Sequence, residues 1–119
     1  MPIRMKTAVE RLRLKAPFRI SGYVFEGFDV IVVTLEDGPH RGRGEAAGAY
    51  YLGETAETML AALEPCPARV EAGMSRIDRQ RLLPPGGARN ASDCALWELE
   101  SSRLAKPAWQ IAGDGPLRP

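Results

Sequence analysis

With one histidine, two cysteines and three lysines, the chain has little from which to build a reactive centre. Cys66 and Cys94 form no CxxC pair, so neither a zinc cluster nor a dithiol redox site is indicated. Reduced thiols packed as small hydrophobes are expected instead. No apolar run approaches the ~20 residues of a membrane span. The opening Met1-Pro2-Ile3-Arg4-Met5-Lys6 lacks the apolar stretch of a signal peptide, so a cytoplasmic location is expected. An excess of one charge is also missing. Sixteen Lys and Arg against fifteen Asp and Glu leave a net charge of +1. That excludes a nucleic-acid binder that neutralises many phosphates, and a surface that seeks anionic membranes. What remains is 119 residues of ordinary apolar content, enough for one domain with a modest core.

The first half of the chain alternates with a period of two. In residues 4–14, Met5, Thr7 and Val9 share one face; then the phase slips and Leu12 and Leu14 are apolar. A slip of that kind predicts a bulge or a change of partner strand, with Pro17 ending the strand. Residues 28–35 give the strongest strand signal. Val30 and Val32 point one way, and Ile31, Val33 and Leu35 the other, so both faces need cover. A turn over 36–40 returns the chain as a third strand, 41–47. Gly42 and Gly44 weaken that strand and mark close backbone approach.

After Gly53 the period becomes helical. Thr55 is the expected N-cap of a helix carrying Met59, Leu60 and Leu63. Pro65 and Pro67 should break it, with a short helical piece over 68–72. Ser75-Arg76-Ile77-Asp78 resembles a capping box with Asp in place of Glu. Pro84-Pro85-Gly86-Gly87 is a break. The longest helix is expected over 88–104, with Ala88, Ala91, Ala95 and Leu99 on one small-residue stripe. Pro107 should open a last short helix at its first position, stopping at Gly113-Asp114-Gly115. The fold class is α+β: a three-stranded antiparallel meander followed by a helical bundle.

The chemistry-bearing residues do not form a centre. His40 falls in the second turn and should be solvated. Glu54, Glu57, Glu64 and Glu71 are expected on solvated helix faces. Arg76, Arg79, Arg81 and Arg89 are interrupted by Asp78 and have no interleaved aromatics. Gly42-Arg43-Gly44-Glu45 holds two glycines of a phosphate-loop pattern but lies within a strand. No catalytic residue and no metal ligand is assigned, so the chain alone is not expected to be an enzyme.

The segment from Ala88 to Gly113, with Ser92-Asp93-Cys94-Ala95-Leu96-Trp97-Glu98-Leu99 at its heart, resembles the signature helix of the mandelate racemase and muconate-lactonizing enzymes. These belong to the enolase superfamily. Arg41-Gly42-Arg43-Gly44-Glu45-Ala46 is similar to the family's third strand, and Pro17-Phe18 before a loop over about 18–28, followed by an apolar strand, fits the same order. Ser92, Ser101-Ser102 and Ala108 depart from the family pattern. Among subgroups, Gly44 to Tyr51 together with Pro84 to Trp97 looks most like dipeptide epimerases of the L-Ala-D/L-Glu type. Muconate cycloisomerases and acyl-amino-acid racemases stay open.

The resemblance implies an N-terminal capping domain over 1–115. Residues 116–119 would then begin the linker to a barrel domain that carries the catalytic groups. It implies a magnesium-dependent epimerase or racemase acting next to a carboxylate, with the metal held elsewhere than in this chain. It further implies that two segments cap the substrate. One is about 18–28 with Arg19, Ser21, Tyr23 and Phe25; the other is about 48–53 with Tyr50, Tyr51 and Leu52. Arg19 is a candidate partner for an acidic substrate side chain. The same aromatics would also serve as plain loop anchors. The implied partners are the barrel, a small carboxylate or dipeptide, and a second copy of the chain through exposed apolar surface; nucleic acid and membrane are not implied. The competing reading is a standalone α+β interaction or binding module from a truncated or split gene.

Overall fold

The computed structural model describes residues 3–113, without the side chains of Arg76 and Arg79. The expected stop at Asp114-Gly115 and the linker at 116–119 lie outside the described residues. Three antiparallel strands come first, β1 (Arg4–Ile20), β2 (Tyr23–Asp37) and β3 (His40–Ala46), in the order β1-β2-β3. A 3₁₀ turn (Tyr50–Leu52) follows, then α1 (Ala56–Leu63), α2 (Cys66–Glu71), α3 (Arg76–Leu82), α4 (Gly87–Leu104) and α5 (Ala108–Ile111). The α+β class and the meander read from the sequence are therefore present.

Pro17 does not end β1. Arg4 to Arg13 pair with Glu36 to Gly27. The register then shifts, and pairing resumes at Phe18↔Phe25. Residues 14–17 form the irregularity, so the proline, which has no N–H to give to a ladder, sits where none is required. The strand goes on to a two-residue turn, Ser21-Gly22, with φ of 47° and 83°. Two positive φ values are what a tight hairpin needs to match the strand twist.

Position parity sorts the two faces of the sheet. Met5, Ile31, Val33 and Leu35 join the core with Met59, Leu63, Val70, Leu83 and the small stripe of α4. Val30 and Val32 face the other way, yet only 3% and 5% of their surface is exposed. The Arg43–Glu10 ion pair, 3.6 Å, joins β3 to β1 on that face.

Gly42 and Gly44 seat α4. A Cβ at Gly42 would lie 2.1 Å from the Ala95 carbonyl oxygen, and one at Gly44 2.0 Å from that of Ala91. Bare backbone meets bare backbone, which is the close approach the glycines signalled. Glu98 of α4 then accepts the N–H of Arg43 on the β3 edge. At the far end, Arg103 pairs with Asp37 at 2.7 Å, and His40 Nδ1 lies 3.0 Å from Ser102 Oγ. His40 is thus half-buried and docked on α4, not a solvated turn residue.

Thr55 and Thr58 cap α1 reciprocally, and Ser75 and Asp78 do the same for α3. The helix breaks before Pro65 as expected, and the short piece α2 starts two residues earlier than expected, with Pro67 at its second position, where first-turn N–H groups have no intrahelical partner. Pro107 is the N-cap of α5, one residue ahead of the expected place. Cys66 is buried, whereas Cys94 is exposed on α4 and is not a packed hydrophobe.

Candidate functional site

Segment 18–28, expected as a loop, is a paired ribbon. Phe18 faces Phe25, Arg19 faces Val24 and Ile20 faces Tyr23. On the ribbon, Tyr23 and Phe25 share a face with rings 6.1 Å apart. The chain leaving β3 brings Tyr50 onto that face. Its ring stands edge-on to Tyr23 at 4.9 Å and to Phe25 at 5.1 Å, the T-shaped geometry favoured by aromatic quadrupoles. Phe28 and Tyr51 extend the cluster at 5.1 Å from Phe25 and 5.3 Å from Tyr50. Two segments about 25 residues apart in sequence thus become one aromatic surface at one end of the sheet.

Of the six residues assigned from the sequence, Tyr23, Phe25, Tyr50 and Tyr51 meet in this cluster. Arg19 and Ser21 do not. Arg19 occupies the alternate face of the ribbon beside Val24, and Ser21 forms the turn. The surface is open: Tyr51 is 71% and Leu52 74% exposed, with Phe18, Ile20 and Tyr23 also bare. A contiguous apolar patch on a small domain marks an interaction or ligand-contacting surface.

The turn carrying Tyr50 and Tyr51 is internally closed. Leu52 and Glu54 donate their N–H groups to the Ala49 carbonyl at 3.0 and 3.2 Å, and Gly53 donates to Tyr50 at 3.2 Å. Glu54 is not on a solvated helix face. It precedes the N-cap Thr55 and accepts the N–H groups of Ala49 at 3.1 Å and Gly87 at 3.0 Å. Sequence reading missed it because an acid beside an N-cap looks like ordinary helix-end chemistry. Its second partner lies 33 residues away.

Elsewhere the chemistry is sparse. Among the described residues no group of three or more His, Cys, Asp or Glu side chains converges to hold a metal ion. No helix is long and apolar enough to cross a membrane. An open cleft of about 650 Å³ between α2 and α3 is lined by Arg69, Met74, Asp78 and Arg81. Bonds from the Ser75 side chain and backbone, with Arg81 nearby, hold the Asp78 carboxyl below the usual carboxylate range. That is capping chemistry.

A three-stranded meander with helices on one face is the fold of the N-terminal domain of the enolase superfamily. The chain's homologues are dipeptide epimerases and mandelate racemase/muconate-lactonizing members of that superfamily. The L-Ala-D/L-Glu epimerase of Escherichia coli is 35% identical over 109 residues, 92% of this chain and 34% of that protein. The hydrophobic dipeptide epimerase of Roseobacter litoralis is 33% identical over 86% of this chain and 31% of its own. An enolase family member from Agrobacterium tumefaciens, solved with sodium and L-Ala-L-Glu, superposes with a TM-score of 0.88 at 36% identity. That match covers 96% of this chain and 35% of the other. A dipeptide epimerase from Methylococcus capsulatus, complexed with Mg and L-Arg-D-Lys, gives 0.80 at 27% identity, over 95% of this chain and 35% of its own. No family model matches the chain. The chain spans about a third of the length of the curated relatives it matches.

Proposed function

We propose that this chain is the substrate-capping domain of a magnesium-dependent epimerase that acts next to a carboxylate, with dipeptides as the substrate class. Residues 1–115 form the cap and residues 116–119 lead towards a barrel. The observation that carries the reading is the single aromatic surface built by the β1–β2 ribbon and the Tyr50–Leu52 turn. It occurs on a chain that is 35% identical to part of an L-Ala-D/L-Glu epimerase.

The chemistry explains why such a surface is useful. A proton next to a carboxylate is very weakly acidic, so the charge that develops on its removal must be stabilised in a site closed to water. Magnesium supplies that stabilisation when bound, by Lewis-acid polarisation of the carboxylate. No ligand set for it exists among the described residues. The part left to this chain is steric: to exclude water and to hold the distal half of the substrate. Tyr23, Tyr50 and Tyr51 suit that task, with an apolar ring for contact and a hydroxyl for a polar end. Arg19 and Ser21 stand at the ribbon tip, where they would meet substrate only by the tip folding over it.

Sequencing the DNA beyond the Pro119 codon tests the proposal. An in-frame barrel with a Lys-x-Lys pair and spaced acidic residues is the expected result. In that complete enzyme, Tyr50→Ala should raise KM for a dipeptide about tenfold or more, and unchanged kinetics would remove the capping role. A stop codon with no adjacent barrel gene would leave a standalone binding module instead.

A further inference from the structure

Glu54 ties together two parts of the chain. Its two carboxylate oxygens are divided between them. One accepts the N–H of Ala49, the residue before the aromatic turn, and the other accepts the N–H of Gly87, the first residue of α4. The side chain is half-buried, and charge-assisted bonds of this kind are about twice as strong as neutral ones. The backbone is bare where the carboxylate docks: a Cβ on Gly86 would lie 2.7 Å from Oε2, and one on Gly87 3.1 Å from Oε1. The turn itself is a closed unit, because Leu52 and Glu54 both bond back to the Ala49 carbonyl. α4, in turn, is seated on the sheet through Gly42 and Gly44.

We infer that Glu54 is a positioning residue for the cap. Its carboxylate latches the Tyr50–Leu52 turn to the start of α4 and so sets where Tyr50 meets Tyr23 and Phe25. In the capping reading, on which this last consequence rests, the latch fixes the depth of the space left for the distal residue of a dipeptide.

The test is made on the full chain by NMR. Glu54→Gln keeps the size of the side chain but offers one acceptor oxygen where the carboxylate offers two. Hydrogen exchange should accelerate tenfold or more at whichever of the Ala49 and Gly87 amides loses its acceptor, and the Tyr50–Tyr23 ring contacts should weaken. Exchange at Ile31 and Val33, in the central strand, should stay within twofold. Glu54→Ala, with no acceptor oxygen, should accelerate exchange at both amides. Unchanged exchange and ring contacts in Glu54→Gln overturn the latch. So does equal acceleration at Ile31 and Val33, which would make Glu54 a general stabiliser. No substrate enters these readouts. A failed latch therefore leaves the capping reading intact, and failure of that reading appears only in the kinetics of Tyr50→Ala.

Discussion

Ser92 lies on the buried stripe of α4, 1% exposed, and its hydroxyl has no hydrogen-bond partner among the described residues. A buried, unpaired hydroxyl costs about 1–3 kcal/mol in lost hydration. Alanine also forms helix better by roughly 0.5 kcal/mol. Ser92→Ala should therefore raise stability by about 1 kcal/mol or more, visible as a higher urea midpoint with unchanged slope. Asp78 makes a second prediction at this scale. Its folded carboxyl titrates below the usual range because Ser75 bonds to the charged form. The stabilisation is thus present above the unfolded value of about 3.9 and is lost as pH falls through the lower folded value. NMR titration of the Asp78 carboxyl should give a depressed midpoint, and Ser75→Ala should move it back up. Asp in the fourth place of the box was readable from the sequence. The orphaned hydroxyl was not, since burial of position 92 depends on which face of α4 meets the sheet.

Elements were legible where the signal is local. Alternation located the three strands, and the caps at Thr55 and Ser75 located α1 and α3, because each reports contacts within a few residues. The errors came from proline and from pairing. Pro17 reads as a strand end, but a bulge absorbs it and β1 continues to Ile20. The break expected at Pro65 and Pro67 is present between α1 and α2, with Pro67 in a first-turn position of α2 where its missing N–H costs nothing. Segment 18–28 reads as a loop because its alternation is carried by aromatics and a long bulge hides the register. The fit of β3 to α4 yields the element-scale prediction. Gly44→Ala would press a methyl onto the Ala91 carbonyl and must push the helix off the sheet. It should destabilise the chain by several kcal/mol, on the order of other overpacked or strained core positions. Chemical denaturation would measure it, and a change below 0.5 kcal/mol would contradict the packing described (surface substitutions fall in that range).

At the scale of the molecule the chain is broad and thin, 46 × 41 × 25 Å, with a radius of gyration of 15.9 Å. A compact domain of this length would have about 13.5 Å. The difference matches a protruding ribbon and an open apolar end. Tyr51, Leu52 and Phe18 are each more than half exposed. Such a surface should associate with copies of itself when nothing else covers it. Sedimentation equilibrium should show an average mass that rises with concentration, and Tyr51→Ser combined with Leu52→Ser should flatten that rise. A constant monomer mass up to high concentration would argue against it. The sequence alone disclosed both halves of the candidate site as aromatic segments. It did not disclose that they touch, nor that Glu54 holds one of them, because both facts are set by long-range pairing.

The seat of α4 on Gly42 and Gly44 also constrains how this domain can change. The atoms that crowd those glycines belong to the main chain of Ala91, Ala95 and Leu99. Every residue type carries the same main chain, so no replacement at those helix positions can make room for a side chain on the strand. A suppressor of Gly44→Ala would have to come from a shift of the whole helix, not from a compensating side chain. Strand and helix are therefore expected to drift in sequence around a fixed spacing, with positions 42 and 44 closed to reciprocal substitution.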